Sequence, residues 1–115
     1  MSAPNAGIYA GPGWFKALID AARAAVPAAD AVFMLDCDDD AGAAQGAIRA
    51  GIETVIFTGR ADVAERLVAI AEASGRRLLT TRPDASLDLG RWFFADPETL
   101  RHHCAACLAP PEAIC

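Results

Sequence analysis

The chain has 115 residues, 54% of them hydrophobic and 22% charged, with a formal net charge of −5. That length suits one small domain, and so much apolar material excludes a disordered or acidic-tail class. The acidic balance, with Lys16 the only lysine and the arginines scattered, argues against a nucleic-acid partner, which needs a basic face.

No apolar run reaches the roughly 18–20 residues of a membrane span. Residues 1–7 carry neither a positive charge nor an apolar signal core. The four cysteines, Cys37, Cys104, Cys107 and Cys115, are not spaced as a disulfide framework. A cytoplasmic protein with reduced thiols is therefore expected. Residues 1–6 read as a flexible N-terminus.

In chain order, Gly7-Ile8-Tyr9-Ala10 reads as a brief first strand ended by the turn Gly11-Pro12-Gly13. Trp14, Phe15, Leu18, Ile19, Ala22 and Val26 then recur at helical spacing, and Pro27 stops that helix. Residues 31–36 form a second strand, apolar on both faces as in a covered parallel sheet. A helix follows from about Asp40 to Arg49, with Ala43, Ala44, Ala47 and Ile48 inward and Gly51 as a left-handed cap. Thr54-Val-Ile-Phe57 is the third strand. The helix after it, 61–74, turns Val63, Leu67, Ile70 and Ala71 inward and pairs Asp62 with Arg66 outside.

Arg77-Leu-Leu-Thr80 makes a fourth strand, and Ser86-Leu-Asp-Leu89 suits a short edge strand. Trp92, Phe93 and Phe94 form an aromatic knot that needs burial. Asp96-Pro97 opens a C-terminal helix over 96–108, and 109–115 is a tail. The alternation predicts a single α/β domain over 1–115, with a mostly parallel sheet of four or five strands. A flavodoxin-like order or half of a (β/α) barrel would both fit.

In such a sheet, ligands bind outside the carboxyl ends of the strands, where the strand-to-helix loops gather. Those loops hold Gly11 and Gly13, then Asp36 and Asp38, then Thr58, Gly59 and Arg60, then Thr81 and Arg82. Glycine lets backbone approach an anion, and arginine can bind one bidentately. The expected function is thus binding of a small anionic ligand, such as a phosphate ester, through these residues. Asp36 and Asp38 could also share a Mg²⁺, while Asp38 to Asp40 equally suit the start of a helix.

Val32-Phe-Met-Leu-Asp36-Cys-Asp38, followed by Val55-Ile-Phe-Thr58-Gly-Arg60, resembles the first two motifs of haloacid-dehalogenase-type phosphatases. The resemblance implies Asp36 as nucleophile, Asp38 as general acid and Thr58 as a phosphoryl-binding hydroxyl. It gives the alternative of a Mg²⁺-dependent phosphohydrolase. It covers about a quarter of the chain, and there are departures. Asp39-Asp40-Ala41 stands where the family has Gly-Thr, no lysine follows the third helix, and no paired acidic motif comes later.

His103, Cys104 and Cys107 offer zinc-type donors. On a helix, however, Leu100, Cys104, Cys107 and Leu108 share one face and read more simply as core. Zinc is therefore not expected. Five large aromatics, Trp14, Phe15, Trp92, Phe93 and Phe94, exceed what one small core covers, so a homo-oligomer, most simply a dimer, is expected. A non-catalytic assembly or accessory role is the remaining alternative.

Overall fold

The central strand decides the architecture. Thr54–Ile56 (β2) is buried along its whole length, and Val55 and Ile56, which point to opposite faces, are both 0% exposed. A strand covered on both faces belongs inside a parallel sheet. The computed structural model, described over residues 1–109, pairs β2 in parallel with Met34–Asp36 (β1) on one side and Arg77–Leu79 (β3) on the other. The order is β1-β2-β3, with Leu35 opposite Val55 and Val55 opposite Leu78.

The described residues hold five α-helices: Ala6–Tyr9 (α1), Pro12–Ala25 (α2), Ala41–Ala50 (α3), Ala61–Ala73 (α4) and Pro97–Leu108 (α5). The contacts fall into two compact units, the first residues 1–82 and the second beginning at Pro83. The first holds the sheet and α1 to α4. In it α3 packs on β2 and on both α2 and α4, α4 packs on β3, and α1 packs on β1 and α3. Ala44 and Ala47 of α3, both 0% exposed, present little more than a methyl group each, so this helix lies close to its neighbours. Phe15, Ile19, Leu35, Ile52, Phe57 and Leu67 fill the core. Burying a side chain of this size contributes about 1.5–3 kcal/mol.

Several expectations are corrected. Residues 7–10 are not a strand: α1 occupies Ala6–Tyr9, entered from Asn5 at φ 65. A four-residue apolar run carries no period that separates strand from helix. Pro12 does not mark a turn after a strand but stands at the first position of α2, where its missing N–H is harmless. The described residues hold three strands, not four or five. Ser86 to Leu89 is not an edge strand; a 3-10 turn spans Leu89–Trp92. Asp62 pairs with Arg60 rather than Arg66, and Ile70 is 39% exposed while Ala64 takes the inward position.

In the second unit, Asp96 caps α5 as expected, its carboxylate accepting from the Thr99 N–H at 2.7 Å. The apolar stripe expected on α5 is not core, because α5 has no buried residue. Phe93 and Phe94 are 79% and 95% exposed, so the aromatic knot is not buried either. The predicted tail 109–115 lies, beyond Ala109, outside the described residues.

Cys37 follows β1 and is 0% exposed, packed so closely against Gly7 that a side chain at residue 7 would collide with its sulfur. Burial, with the nearby Asp36 and then Asp40 carboxylates, pushes its thiol up to about 12. Between about pH 9 and pH 12 the unfolded chain therefore loses a proton that the folded chain keeps. Stability is unaffected at neutral pH and falls as pH rises through that window, by at most about 1.4 kcal/mol per pH unit. Urea denaturation of wild type and Cys37→Ala from neutral pH to about pH 10 should give a lower starting stability but a flatter alkaline decline in the variant.

Candidate functional site

All three strands end at one edge of the sheet, and the chain gathers its charged loops there. Asp36, the last residue of β1, has a side chain only 5% exposed. A buried carboxylate needs partners, and this one has three. The Arg82 guanidinium donates to Oδ2 at 2.6 Å, the Asp38 N–H donates to Oδ1 at 2.8 Å, and the Asn5 N–H reaches Oδ1 at 3.4 Å. Arg82 also donates to the Ser2 carbonyl at 3.0 Å.

Ser2 completes the arrangement. It is buried, its N–H donates to the Met34 carbonyl at 2.8 Å, and its hydroxyl oxygen accepts from the Asp36 N–H at 2.9 Å. The outer edge of β1 is thus satisfied by the N-terminal segment. Sequence reading missed Ser2 and Asn5, because nothing in a lone serine or asparagine at the chain start points to a strand more than 30 residues away. Arg82, expected at this edge as a ligand-binding group, bonds Asp36 and the Ser2 carbonyl.

Asp38 takes a left-handed conformation, φ 49, which the Asx side chain tolerates better than most. The turn sends its backbone towards β2. The Thr58 N–H donates to the Asp38 carbonyl at 2.7 Å, and the Thr58 hydroxyl donates to the Asp38 carboxylate at 3.2 Å. Gly59 follows because any β-carbon there would press on the Phe57 ring and on the Asp39 backbone. Asp40 caps α3, accepting from the Ala43 N–H at 2.9 Å. Arg60 makes two bonds to Asp62, at 3.1 and 2.8 Å, and its side chain is 80% exposed.

Asp36, Asp38, Thr58 and Arg82 therefore share one hydrogen-bonded group, with Gly59 and Arg60 beside it in sequence. Thr81 is exposed. Gly11 and Gly13 stand apart from the network: Gly11, at φ 83, is the N-cap of α2, and its N–H goes to the Ala6 carbonyl. No family model, curated protein or solved structure matches this chain.

Chemically, the edge is self-satisfied. Oδ2 of Asp36 accepts from Arg82 and Oδ1 from the Asp38 N–H, so any ligand or metal at Asp36 would have to share or displace these partners. Among the described residues, no group of three histidine, cysteine, aspartate or glutamate side chains comes together to hold an ion. Asp38 is half-buried and Asp39 is exposed. What the network does physically is fix the loop after β1, the loop after β2 and the chain after β3 in one arrangement.

Removing Arg82 leaves Asp36 buried without its counter-charge. A fully buried broken pair costs about 3–5 kcal/mol, and with Arg82 30% exposed about 2–3 kcal/mol is expected for Arg82→Ala. Arg60→Ala, which breaks only a surface pair, should change stability by less than about 0.5 kcal/mol. Urea midpoints of the two variants check this, and adding Asp36→Asn to Arg82→Ala should recover part of the loss.

Proposed function

We propose that this chain is a non-catalytic assembly or accessory protein that works in the cytoplasm as a homodimer joined through the aromatic segment of its second unit. The exposure of Phe93 and Phe94, whose rings meet edge to face at 4.9 Å, carries this reading. Two adjacent phenylalanines open to water are costly to maintain, and residues 83–109 include no buried residue of their own. Burial of one such side chain contributes about 1.5–3 kcal/mol, so four across a symmetric contact give about 6–12 kcal/mol. That only offsets the association cost of about 4–15 kcal/mol. Trp92 and Leu89, in the same segment, must add to the contact for a dimer in the micromolar range.

Sedimentation of the full chain tests the reading. Wild type is expected to be a dimer at micromolar concentration, and Phe93→Ser with Phe94→Ser should weaken it at least about 100-fold. A clean wild-type monomer would remove the proposal.

A second reading, binding of a small anionic ligand such as a phosphate ester at the strand-end loops, is favoured by one observation. Arg60 is held only by an exposed pair, which is worth little, and it stands at the N-terminus of α4, a helix without a side-chain cap. Exchanging Asp62 for a ligand would therefore need little energy. Thr58, Gly59 and Thr81 would complete the contact. A phosphohydrolase using Asp36, Asp38 and Mg²⁺ ranks behind both, because the Asp36 side chain is only 5% exposed and already bonded to Arg82. If phosphate binds, holding it at 100 times its dissociation constant should add about 2.7 kcal/mol, several degrees of melting temperature. Arg60→Ala should abolish that shift, and an unshifted wild type removes the reading.

A further inference from the structure

The last turns of α5 carry Cys104, half-buried, and Cys107, exposed, both as free thiols. On an α-helix, residues three apart share a face with β-carbons about 5–6 Å apart, whereas a disulfide needs about 3.5–4.5 Å. The gap is about 1–2 Å, and a helix end can close it. In 3-10 geometry residues i and i+3 eclipse, which brings their side chains together. The terminal carbonyls of a helix have no intrahelical partner to lose, and here the chain leaves α5 at Ala109 in an extended conformation, φ −62 and ψ 139. Since α5 has no buried residue, tightening its last turn disturbs no core.

Competing uses of the two thiols are weak. The ring of His103, the nearest nitrogen donor in sequence, lies against Trp92 at 4.2 Å between centroids. Among the described residues no third donor joins the pair as a metal site. Cys37, the other described cysteine, is sealed in the core of the first unit.

We infer that Cys104 and Cys107 are a reversible redox pair that closes into a disulfide within the last turn of α5, with a low-molecular-weight disulfide such as oxidised glutathione as oxidant. The exposed Cys107 thiolate attacks one sulfur of glutathione disulfide. The glutathione S–S bond breaks, one glutathione thiolate leaves, and a mixed disulfide remains on Cys107. The Cys104 thiolate then attacks the Cys107 sulfur and expels the second glutathione thiolate. The pair loses two electrons and two protons, and the oxidant becomes two molecules of glutathione.

The test uses the full chain carrying Cys115→Ser, so that the third thiol of the peptide after Arg101 cannot compete. After incubation with oxidised glutathione near pH 8, acid quenching and tryptic digestion, the peptide starting at His102 should be lighter by two hydrogens and free of glutathione. Dithiothreitol should restore its mass. With Cys104→Ser added, the same peptide should instead keep one glutathione on Cys107, because nothing nearby can expel it. A Cys115→Ser chain that carries separate glutathiones on Cys104 and Cys107, or whose two thiols stay free, overturns the inference.

Discussion

The contact between Arg82 and Asp36 sets the shape of the sheet's carboxyl edge. Asp36 ends β1 and Arg82 follows β3, and those strands are not neighbours, since β2 lies between them. A 2.6 Å bond therefore ties together the two outer strands of a three-stranded sheet. Strand ladders of three residues each supply few backbone bonds, so a charge-assisted bond that spans them has a large relative effect. Its strength comes from burial. The carboxylate has left water, and only the guanidinium and the backbone N–H groups around it compensate for that.

From this pair the surrounding loops follow in order. The Asp38 N–H turns back to Asp36, which forces Asp38 into the left-handed region. That turn presents the Asp38 carbonyl and carboxylate to Thr58, and so docks the loop after β2. On the other side, Arg82 holds the Ser2 carbonyl while Ser2 covers the outer edge of β1. An exposed strand edge invites pairing with another chain, and here the protein's own first residues occupy it. Gly7 and Cys37 extend the same packing inwards, a missing side chain on one element making room for a sulfur on the next.

The apolar runs and helical spacing made β2, α3, most of α4 and the end of β1 legible. β1, however, covers only Met34–Asp36 of the expected 31–36, with Val32 58% exposed, and Ile70 of α4 is not buried. Gly51, at φ 91, ends α3 as its position suggested. The failures have physical causes. α1 is four residues long and has no period to read. The stripe on α5 has helical spacing, yet spacing states only which residues share a face and not whether anything covers it. The loops after β1 and β2 and the chain after β3 meet through hydrogen bonds, whereas Gly11 and Gly13 stand apart, and the bonding itself was not legible. Arg82 and Asp36 are 46 residues apart, and Ser2 and Asp36 are 34 apart. An arginine near a strand end looks the same in sequence whether it will meet a ligand or a carboxylate of its own chain.

That ambiguity bears on where this protein meets other molecules. Around the edge stand five carboxylates, on Asp36, Asp38, Asp39, Asp40 and Asp62, against two guanidiniums, on Arg60 and Arg82, and both guanidiniums are bonded to carboxylates. Carboxylates outnumber guanidiniums there, which works against long-range attraction of an anion, and an anion that binds through Arg60 would have to displace Asp62. The second unit is arranged the opposite way. Its phenylalanines and one of its thiols face water, and its helix buries nothing. Exposed groups without internal partners are the ones that gain most from contact, because association removes apolar surface from water without first breaking a bond. In the first unit the buried carboxylate at the sheet edge is bonded within the fold, while Tyr9, Val26 and Val32 are 68%, 58% and 58% exposed; in the proposed assembly it is the segment from Leu89 to Leu108 that makes the contact.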